Sequence, residues 1–272
     1  MVKSLIHTRY RTYIELLLFI FITAIFLYFR ISPILHGAVP YTYDQGRDFL
    51  KTEEVFRYQN LTFIGPTTGI MGLYHGAWWY YVLGIPYFLF QGWPYGYYIF
   101  MCTIVTLAVV LFHIFLRNTF KTSSFALLFY SIVAVGSYFI PSSFQVSNNY
   151  MIPLTLLLLV YSTYQYIHTQ KNKYLFLTTL AVSFVFEFEV AFGFFMLPAA
   201  LITAFCFKEF RTIMFDRKKI LASTSGFIIP FIPRFLFEVK NGFIQTHALI
   251  NFFFKPSTTE PKSFMETFMD IS

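Results

Sequence analysis

Long stretches without any charged residue dominate the pattern of hydrophobic and polar positions along this chain. A helix that crosses a bilayer needs roughly 20 consecutive apolar residues, and several of these stretches are about that long or longer. The pattern therefore predicts an all-α, polytopic membrane helix bundle. The first stretch continues into Arg30 without a small-residue cleavage site, which favours a retained span over a removed signal peptide. The stretches that lack Asp, Glu, Lys and Arg are 16–29, 58–116, 122–170, 174–186, 190–207 and 220–233.

The composition supports the same class of protein. Of the 272 residues, 57% are hydrophobic and only 12% are charged, about half the charged fraction of a soluble domain. The formal net charge of +7 would by itself also suit a nucleic-acid surface. The distribution of that charge decides between the two interpretations.

Basic residues fall in four clusters, and cytoplasmic loops of membrane proteins are enriched in Lys and Arg. All four clusters are cytoplasmic only if the N-terminus is cytoplasmic, residues 36–95 do not cross, and 174–207 splits into two spans near Glu187 and Glu189. The clusters lie at Lys3 to Arg11, Arg117 to Lys121, Lys171 to Lys173 and Lys208 to Lys219. The seven predicted spans are 13–35, 96–116, 123–140, 150–168, the two halves of 174–207, and 220–237.

The stretch 77–92 has an alternative interpretation as a full span. It is short, and Gly84, Pro86 and Gly92 interrupt it. Counting it as a crossing, with 174–207 as one helix, would place two basic clusters outside. We therefore expect a re-entrant or surface-lying helix there.

Charge counts support this topology. The inside segments carry 12 basic and 3 acidic residues, a net charge of +9, and the outside segments carry 8 basic and 10 acidic residues, a net charge of −2. Together they give the +7 of the whole chain. The positive charge is thus a topology signal, and no nucleic-acid partner is expected.

The first outer loop, 36–95, is predicted to contain an amphipathic helix over 44–58 that lies along the interface. Asp44, Arg47, Asp48 and Lys51 follow an i, i+3, i+4, i+7 spacing and would share one face. Three apolar residues would form the other face of this helix. The residues from Gly65 to Gly69 are predicted to form a turn after it. A solvated, salt-bridged surface helix explains the same pattern. The three apolar residues are Phe49, Leu50 and Phe56.

The predicted topology places five carboxylates at the outer edge of the bundle. A carboxylate at membrane depth is costly and is by default a functional hypothesis. Their convergence on one side predicts a site there. The five residues are Asp44, Asp48, Glu187, Glu189 and Glu238.

The order of several motifs over roughly 40–245 resembles the polytopic glycosyltransferases of the GT-C class. The nearest resemblance is to bacterial members similar to protein O-mannosyltransferases and lipid A aminoarabinose transferases. The motifs are Tyr43-Asp44-Gln45-Gly46-Arg47-Asp48, Gly65-Pro66-Thr67, Gly72-Leu73-Tyr74-His75-Gly76 with paired tyrosines after it, Gly226 through Pro230, and Pro233 through Phe243.

This resemblance implies an enzyme that moves a hexose or pentose from a polyprenyl-phosphate donor to a glycan, lipid or protein acceptor on the extracytoplasmic face. It implies Asp44 as the catalytic base that removes the proton of the acceptor hydroxyl. Family members are usually longer, so the single module 1–272 is expected to be either a fragment or a minimal, partner-dependent enzyme. A bacterial plasma (inner) membrane, with membrane lipid around the bundle, is the expected location.

The remaining candidate site residues are predicted to bind substrate, and three of them have a stated structural alternative. These candidate residues are Arg47, Asp48, His75, Glu187, Glu189, Arg234 and Glu238. Arg47 suits a phosphate because its fork binds two oxygens, or it pairs with Asp44 or Asp48. His75 would donate to phosphate or to a sugar hydroxyl, or it is a structural residue. Arg234 would contact phosphate or sugar, or it forms an i, i+4 pair with Glu238.

Glu187 and Glu189 depart from the Gln and His that related sequences often show near this point, so their role stays open. Two carboxylates this close also suggest a divalent metal, but two ligands on one hairpin do not assign one. No cofactor is expected beyond the lipid-linked sugar. The alternative function is a non-catalytic multipass protein, such as a lipid-sugar flippase or a transporter, which would place its ionisable groups nearer the middle of the bilayer.

Overall fold

The computed structural model describes residues 2–120, 123–136 and 145–254. Over these residues the protein is all-α, apart from one small two-stranded ribbon, and the predicted class is confirmed. The helices are α1 (Val2–Leu35), α2 (Tyr43–Arg57), α3 (Trp78–Phe90), α4 (Pro94–Phe120), α5 (Ser123–Val135), α6 (Ile152–Thr169), α7 (Asn172–Phe188), α8 (Val190–Cys206), α9 (Lys208–Arg211), α10 (Arg217–Lys240) and α11 (Ile244–Phe254). Short 3₁₀ turns occupy Asn148–Met151 and Thr212–Phe215.

Four helices within the described residues are long and apolar enough to cross a membrane. A fifth is added if α8 and the segment Lys208–Phe215, which are bent by 91° relative to each other, count as one span. The protein is therefore a membrane protein by the length and composition of its helices. Of the predicted span 123–140, the structure describes α5, an apolar helix of 13 residues that is shorter than a full span, and residues 137–140 lie outside the described residues. The four segments are Tyr13–Leu35, Pro94–Phe120, Asn148–Thr169 and Arg217–Lys240.

The helical stretch 174–207 is broken where the sequence predicts a break. Helix α7 ends at Phe188 and α8 begins at Val190, with Glu189 extended between them at φ −144° and ψ 97°. Close packing fixes the hairpin, because a Cβ added at Gly193 would overlap the backbone of Phe186.

Helix α2 confirms the helix predicted over 44–58 but corrects its faces. Thr42 caps it through a reciprocal capping box with Gln45. Asp48, predicted on the polar face, is buried, and Leu50, predicted on the apolar face, is 64% exposed. The reason is that α2 packs onto α3 and α4 as part of the protein core, where Phe49 stacks on Tyr97 with ring centroids 4.2 Å apart.

A short antiparallel ribbon follows α2, formed by β1 (Ile64–Thr67) and β2 (Tyr74–Gly76). The expected turn at Gly65 to Gly69 is wrong in its first half, because Gly65 to Thr67 belong to β1. A Cβ added at Gly65 would overlap the carbonyl of Gly76, so this glycine allows the two strands to approach.

Helix α3 has 13 residues. At 1.5 Å per residue it extends roughly 20 Å, less than the ~30 Å hydrocarbon core of a bilayer. Trp79 and Leu83 of α3 pack in the largest core cluster with Tyr97, Tyr98 and Met101 of α4.

Hydrogen bonds between distant segments define the two ends of the bundle. At one end the Trp78 indole N–H donates to the Pro230 carbonyl at 2.7 Å, and the Asn148 amide donates to the Phe188 carbonyl. At the other end Lys219 Nζ donates to Gln170 Oε1 at 3.1 Å. The first end contains α2, α3 and the ribbon, and we call it the acidic end.

Candidate functional site

Asp44 lies in the first turn of α2, and its side chain is 71% exposed. Its described partner is Arg47, whose Nη1 lies 2.8 Å from Asp44 Oδ1. An ionised carboxylate has about four acceptor positions, and one ion pair leaves most of them open to solvent. Asp44 is therefore placed to accept a proton from a group that arrives from water.

The guanidinium group of Arg47 contacts three side chains, those of Asp44, Asp48 and Thr67. Its Nη1 contacts Asp44, and its Nη2 and Nε lie 2.9 Å and 3.0 Å from Asp48 Oδ1. Nη1 also approaches the Thr67 hydroxyl at 3.5 Å. Both ion pairs that the sequence left as alternatives are formed, so Arg47 fixes the position of Asp44 against the ribbon. We call Asp44, Arg47 and Asp48 the α2 cluster.

Asp48 is a buried member of this cluster. The Trp79 indole N–H donates to its Oδ2 at 2.7 Å, and the Tyr80 hydroxyl lies 3.5 Å from its Oδ1. Burial raises the pKa of the Asp48 carboxyl, and the Trp79 and Arg47 contacts oppose that shift. Protein groups contact both oxygens, so in this structure Asp48 anchors Arg47.

The second group of charges is the ion pair between Glu187 of α7 and Arg234 of α10, which we call the buried pair. Arg234 Nε lies 2.7 Å from Glu187 Oε1, and the exposed fraction of the Glu187 side chain is 0%. Arg234 Nη1 also donates to the Tyr74 carbonyl at 2.9 Å and to Gln245 Oε1 at 2.8 Å. A Cβ added at Gly76 would overlap Glu187 Oε2. The buried pair therefore joins α7, α10, α11 and the ribbon.

Glu238 does not pair with Arg234, although both lie on α10 four residues apart. Its carboxylate accepts hydrogen bonds from the backbone N–H groups of Gln245 and Thr246, each at 3.0 Å, and from the Thr246 hydroxyl at 2.7 Å. These N–H groups belong to the first turn of α11, where a helix leaves donors without partners. Glu238 is thus a side-chain cap that holds α11.

Glu189 occupies the break between α7 and α8 and is half-buried. No ion pair within the described residues includes it, so Glu189 is not a member of the buried pair. No group of three His, Cys, Asp or Glu residues that could hold a metal ion occurs in the described part of the chain.

His75 lies in β2 next to both groups of charges and is 8% exposed. Its pKa is lowered to about 4, first by burial and then by the positive charges of Arg234 and Arg47. The ring is therefore neutral at pH 7 and donates at most one N–H. Its Nδ1 is buried and has no hydrogen-bond partner within the described residues.

Two members of the site have no clear signal in the sequence. Trp79 lies in an aromatic run typical of an interfacial belt, and its indole bond to Asp48 spans 31 positions. Gln245 follows Glu238 by seven residues, and its amide oxygen also accepts from the Tyr74 backbone N–H at 3.1 Å. The roles of Trp79 and Gln245 depend on contacts between segments that are distant in sequence. Neither residue type is unusual at its position in the sequence, so no local pattern predicts these roles.

An apolar cavity of about 370 Å³ lies between α4, α5 and α6, with Val109, His113, Tyr130 and Leu157 among its lining residues. A second cavity of about 610 Å³ between α4 and α6 shares Leu157 with it. These cavities lie among the helices and do not include the charged residues of the acidic end.

Comparisons with protein-family models, with curated proteins and with solved structures returned no match to this chain.

Proposed function

We propose that this protein is a membrane glycosyltransferase that moves a sugar from a polyprenyl-phosphate donor to a glycan, lipid or protein acceptor on the extracytoplasmic face. Asp44 acts as the catalytic base. The observation that carries the proposal is the exposure of this side chain. Among the five carboxylates that the sequence places at the outer edge, Asp44 is the most open to solvent, and it is fixed by an arginine beside the ribbon.

The reaction needs few protein groups. The acceptor hydroxyl attacks the anomeric carbon, the bond from that carbon to the phosphate oxygen breaks, and Asp44 takes the hydroxyl proton. A positioned general base contributes about 10²–10⁴ in rate. The lipid phosphate leaves as an anion, and a cationic hydrogen-bond donor stabilises the charge that develops on it.

Arg47 is the proposed contact for that phosphate. Its side chain is 26% exposed, and its Nη1 is the atom that holds Asp44. One guanidinium group would then orient the base and face the leaving group. Two carboxylates keep this arginine in place before substrate arrives.

The proposed topology has seven spans, α1, α4, α5, α6, α7, α8 and α10, with the N-terminus in the cytoplasm of a bacterial cell. Helix α2 would lie at the extracytoplasmic interface. The separation of the ends supports this, because the α6–α7 link and the segment Lys208–Lys219 meet at the end opposite Asp44. Those two segments contain basic clusters, which favour the cytoplasmic side.

The apolar cavity between α4, α5 and α6 supports a lipid-linked donor. Its walls are almost entirely aliphatic and aromatic side chains. A polyprenyl chain would bury its apolar surface there at about 25 cal/mol per Å².

The test is sugar transfer by membranes that contain the Asp44→Asn variant, supplied with radiolabelled polyprenyl-phosphate sugar. We expect the rate to fall by about 10²–10⁴, with the protein level unchanged. Glu54→Gln is the matched control, because Glu54 is a half-exposed acid of the same helix that pairs with Lys51 at 2.8 Å. Transfer at the normal rate by Asp44→Asn would reject the proposed base.

The second candidate function is a non-catalytic lipid-sugar flippase or transporter. The observation that favours it is the buried pair beside the helix break at Glu189, because transporters place ionisable groups at interrupted helices. Proteoliposomes distinguish the two candidates. Movement of lipid-linked sugar across the bilayer without any acceptor, unaffected by Asp44→Asn, would favour the flippase.

A further inference from the structure

Four polar side-chain atoms at the acidic end are buried without a hydrogen-bond partner in the described residues. His75, Glu187 and Gln245 are each less than 10% exposed, and the Arg234 side chain is 12% exposed. Buried polar groups are almost always hydrogen-bonded, so a group of such atoms indicates an arrangement that another partner completes. The four atoms are His75 Nδ1, Glu187 Oε2, Arg234 Nη2 and Gln245 Nε2.

Three of these side chains, Glu187, Arg234 and Gln245, are linked by hydrogen bonds between their other atoms, and His75 follows Tyr74, whose backbone bonds to both Arg234 and Gln245. Arg234 Nε is 2.7 Å from Glu187 Oε1, and Arg234 Nη1 is 2.8 Å from Gln245 Oε1. The Tyr74 backbone N–H also donates to Gln245 Oε1 at 3.1 Å. The oxygen of the glutamine amide thus accepts from two converging donors, while its N–H₂ group, which makes no hydrogen bond of full geometry in the described residues, lies beside the Glu238 carboxylate.

Helix α11, which carries Gln245, buries little of its surface against the rest of the protein. Gln245 is the one buried residue between Ile244 and Phe254. The helix follows two residues in the left-handed region, Gly242 at φ +65° and Phe243 at φ +60°, a conformation that is unfavourable for phenylalanine. Glu238 holds its first turn, Leu249 packs against the cluster that contains Leu73, and Phe253 contacts the Phe194 ring.

We propose that the Gln245 amide occupies a sugar subsite, and that two neighbouring hydroxyl groups of the substrate sugar replace it when α11 swings away about Gly242 and Phe243. This inference rests on the proposed glycosyltransferase function. The hydroxyl groups accept from Arg234 and the Tyr74 N–H, and they donate to Glu187 Oε2. His75 completes the subsite from β2.

The charges of the subsite select a neutral, hydroxyl-bearing group over a phosphate. Glu187 balances the charge of Arg234, and His75 is neutral, so the subsite has no net positive charge. A phosphate only accepts hydrogen bonds and would lie beside the Glu187 carboxylate, whereas a hydroxyl both accepts and donates. The amide that now fills the subsite is likewise neutral, with one acceptor atom and one donor atom.

The experiment uses the full chain in nanodiscs and hydrogen exchange of the Gln245 and Thr246 amides, which Glu238 protects in the closed structure. The probes are short-chain polyprenyl phosphate carrying mannose or glucose, and the same lipid phosphate without sugar. We expect faster exchange at both amides with either sugar-bearing lipid and no change with the sugar-free lipid. An equal response to all three lipids, or no response to any, overturns the subsite, because both hexoses carry neighbouring hydroxyl groups.

A variant adds an independent measurement. Gln245→Ala removes the internal occupant, and we expect the sugar-bearing lipid to bind roughly tenfold more tightly, the factor that one hydrogen bond to a charged group contributes. Asn251→Ala, an exposed change on the same helix, should leave the affinity unchanged. Unchanged or weaker affinity for Gln245→Ala overturns the subsite.

These outcomes separate the subsite from the proposed function. If α11 responds to the sugar while Asp44→Asn transfers at the normal rate, the subsite stands and Asp44 is not the base. If transfer depends on Asp44 while α11 does not respond, the function stands and the subsite is wrong.

Discussion

The α2 cluster and the buried pair are both built from arginine and carboxylate, but they differ in access to water. In the α2 cluster, Arg47 bridges an exposed aspartate and a buried one. In the buried pair, Glu187 is fully enclosed and Arg234 is 12% exposed. The same two residue types therefore leave one carboxylate, Asp44, open to solvent in the α2 cluster and join helices in the buried pair. This difference in solvent access is why we propose Asp44, and not Glu187, as the base.

The largest expected effect concerns the buried pair. Arg234→Ala leaves the Glu187 carboxylate enclosed without its partner, and we expect a loss of about 3–5 kcal/mol in the free energy of unfolding. The double variant Glu187→Leu/Arg234→Met should recover most of that loss, because apolar side chains of similar volume replace both charges. Unfolding in detergent measures both. A single variant as stable as the unmodified protein would show that the pair is not desolvated.

The next effect is a dependence of stability on pH through His75. Its folded-state pKa of about 4 lies below the ordinary value of 6.5, so between these values the unfolded chain binds a proton that the folded protein excludes. The contribution to stability is complete above pH 6.5 and is lost as the pH falls toward 4, by about 3 kcal/mol. His75→Gln removes this loss. Equal acid sensitivity of the two proteins in detergent unfolding would contradict a buried, neutral His75.

The anchor of the α2 cluster predicts a smaller effect. Trp79→Phe keeps an aromatic ring but removes the N–H that donates to Asp48 Oδ2 at 2.7 Å, and we expect a loss of about 1.5–3 kcal/mol. Trp93→Phe is the control, because Trp93 is 54% exposed and the same change should cost within about 0.5 kcal/mol. Similar losses for the two variants would remove Trp79 from the cluster.

The smallest effect is predicted for the solvated face of α2. Lys51 and Glu54 form an i, i+3 pair whose side chains are 31% and 48% exposed. Lys51→Ala should reduce stability by about 0.5 kcal/mol or less, because water screens such pairs. A loss as large as that of Trp79→Phe would mean that this face of α2 is covered, and that the contrast in solvent access between the clusters is overstated.

The long apolar helices were predictable because each contains a charge-free apolar stretch, and the break at Glu189 follows from a stretch too long for one span. The burial of Asp48 was not predictable from the spacing of α2, because its partner Trp79 comes from another helix. The strand β1 was also missed, because Gly65 and Pro66 usually indicate a turn. Here Gly65 serves a close approach between strands instead.

The contacts of the predicted site residues also fall into two groups, those that local spacing predicts and those that depend on distant segments. The exposed position of Asp44 and its pairing with Arg47 follow from local spacing on one helix. The pairing of Arg234 with Glu187, 47 positions apart, replaces the local pair with Glu238 that the sequence suggested. Local patterns thus predicted which of these residues would be charged neighbours on one helix, but contacts between distant segments set the partners that the structure shows.

The most direct test compares the two aspartates of the α2 cluster in one transfer assay, normalised to folded protein. Asp44→Asn should reduce transfer of sugar from the polyprenyl-phosphate donor by about 10²–10⁴ with little change in stability. Asp48→Asn should reduce stability more than Asp44→Asn does and keep most of the transfer rate per folded molecule. If Asp48→Asn abolishes transfer while Asp44→Asn transfers normally, the exposed carboxylate is not the base and the account is wrong.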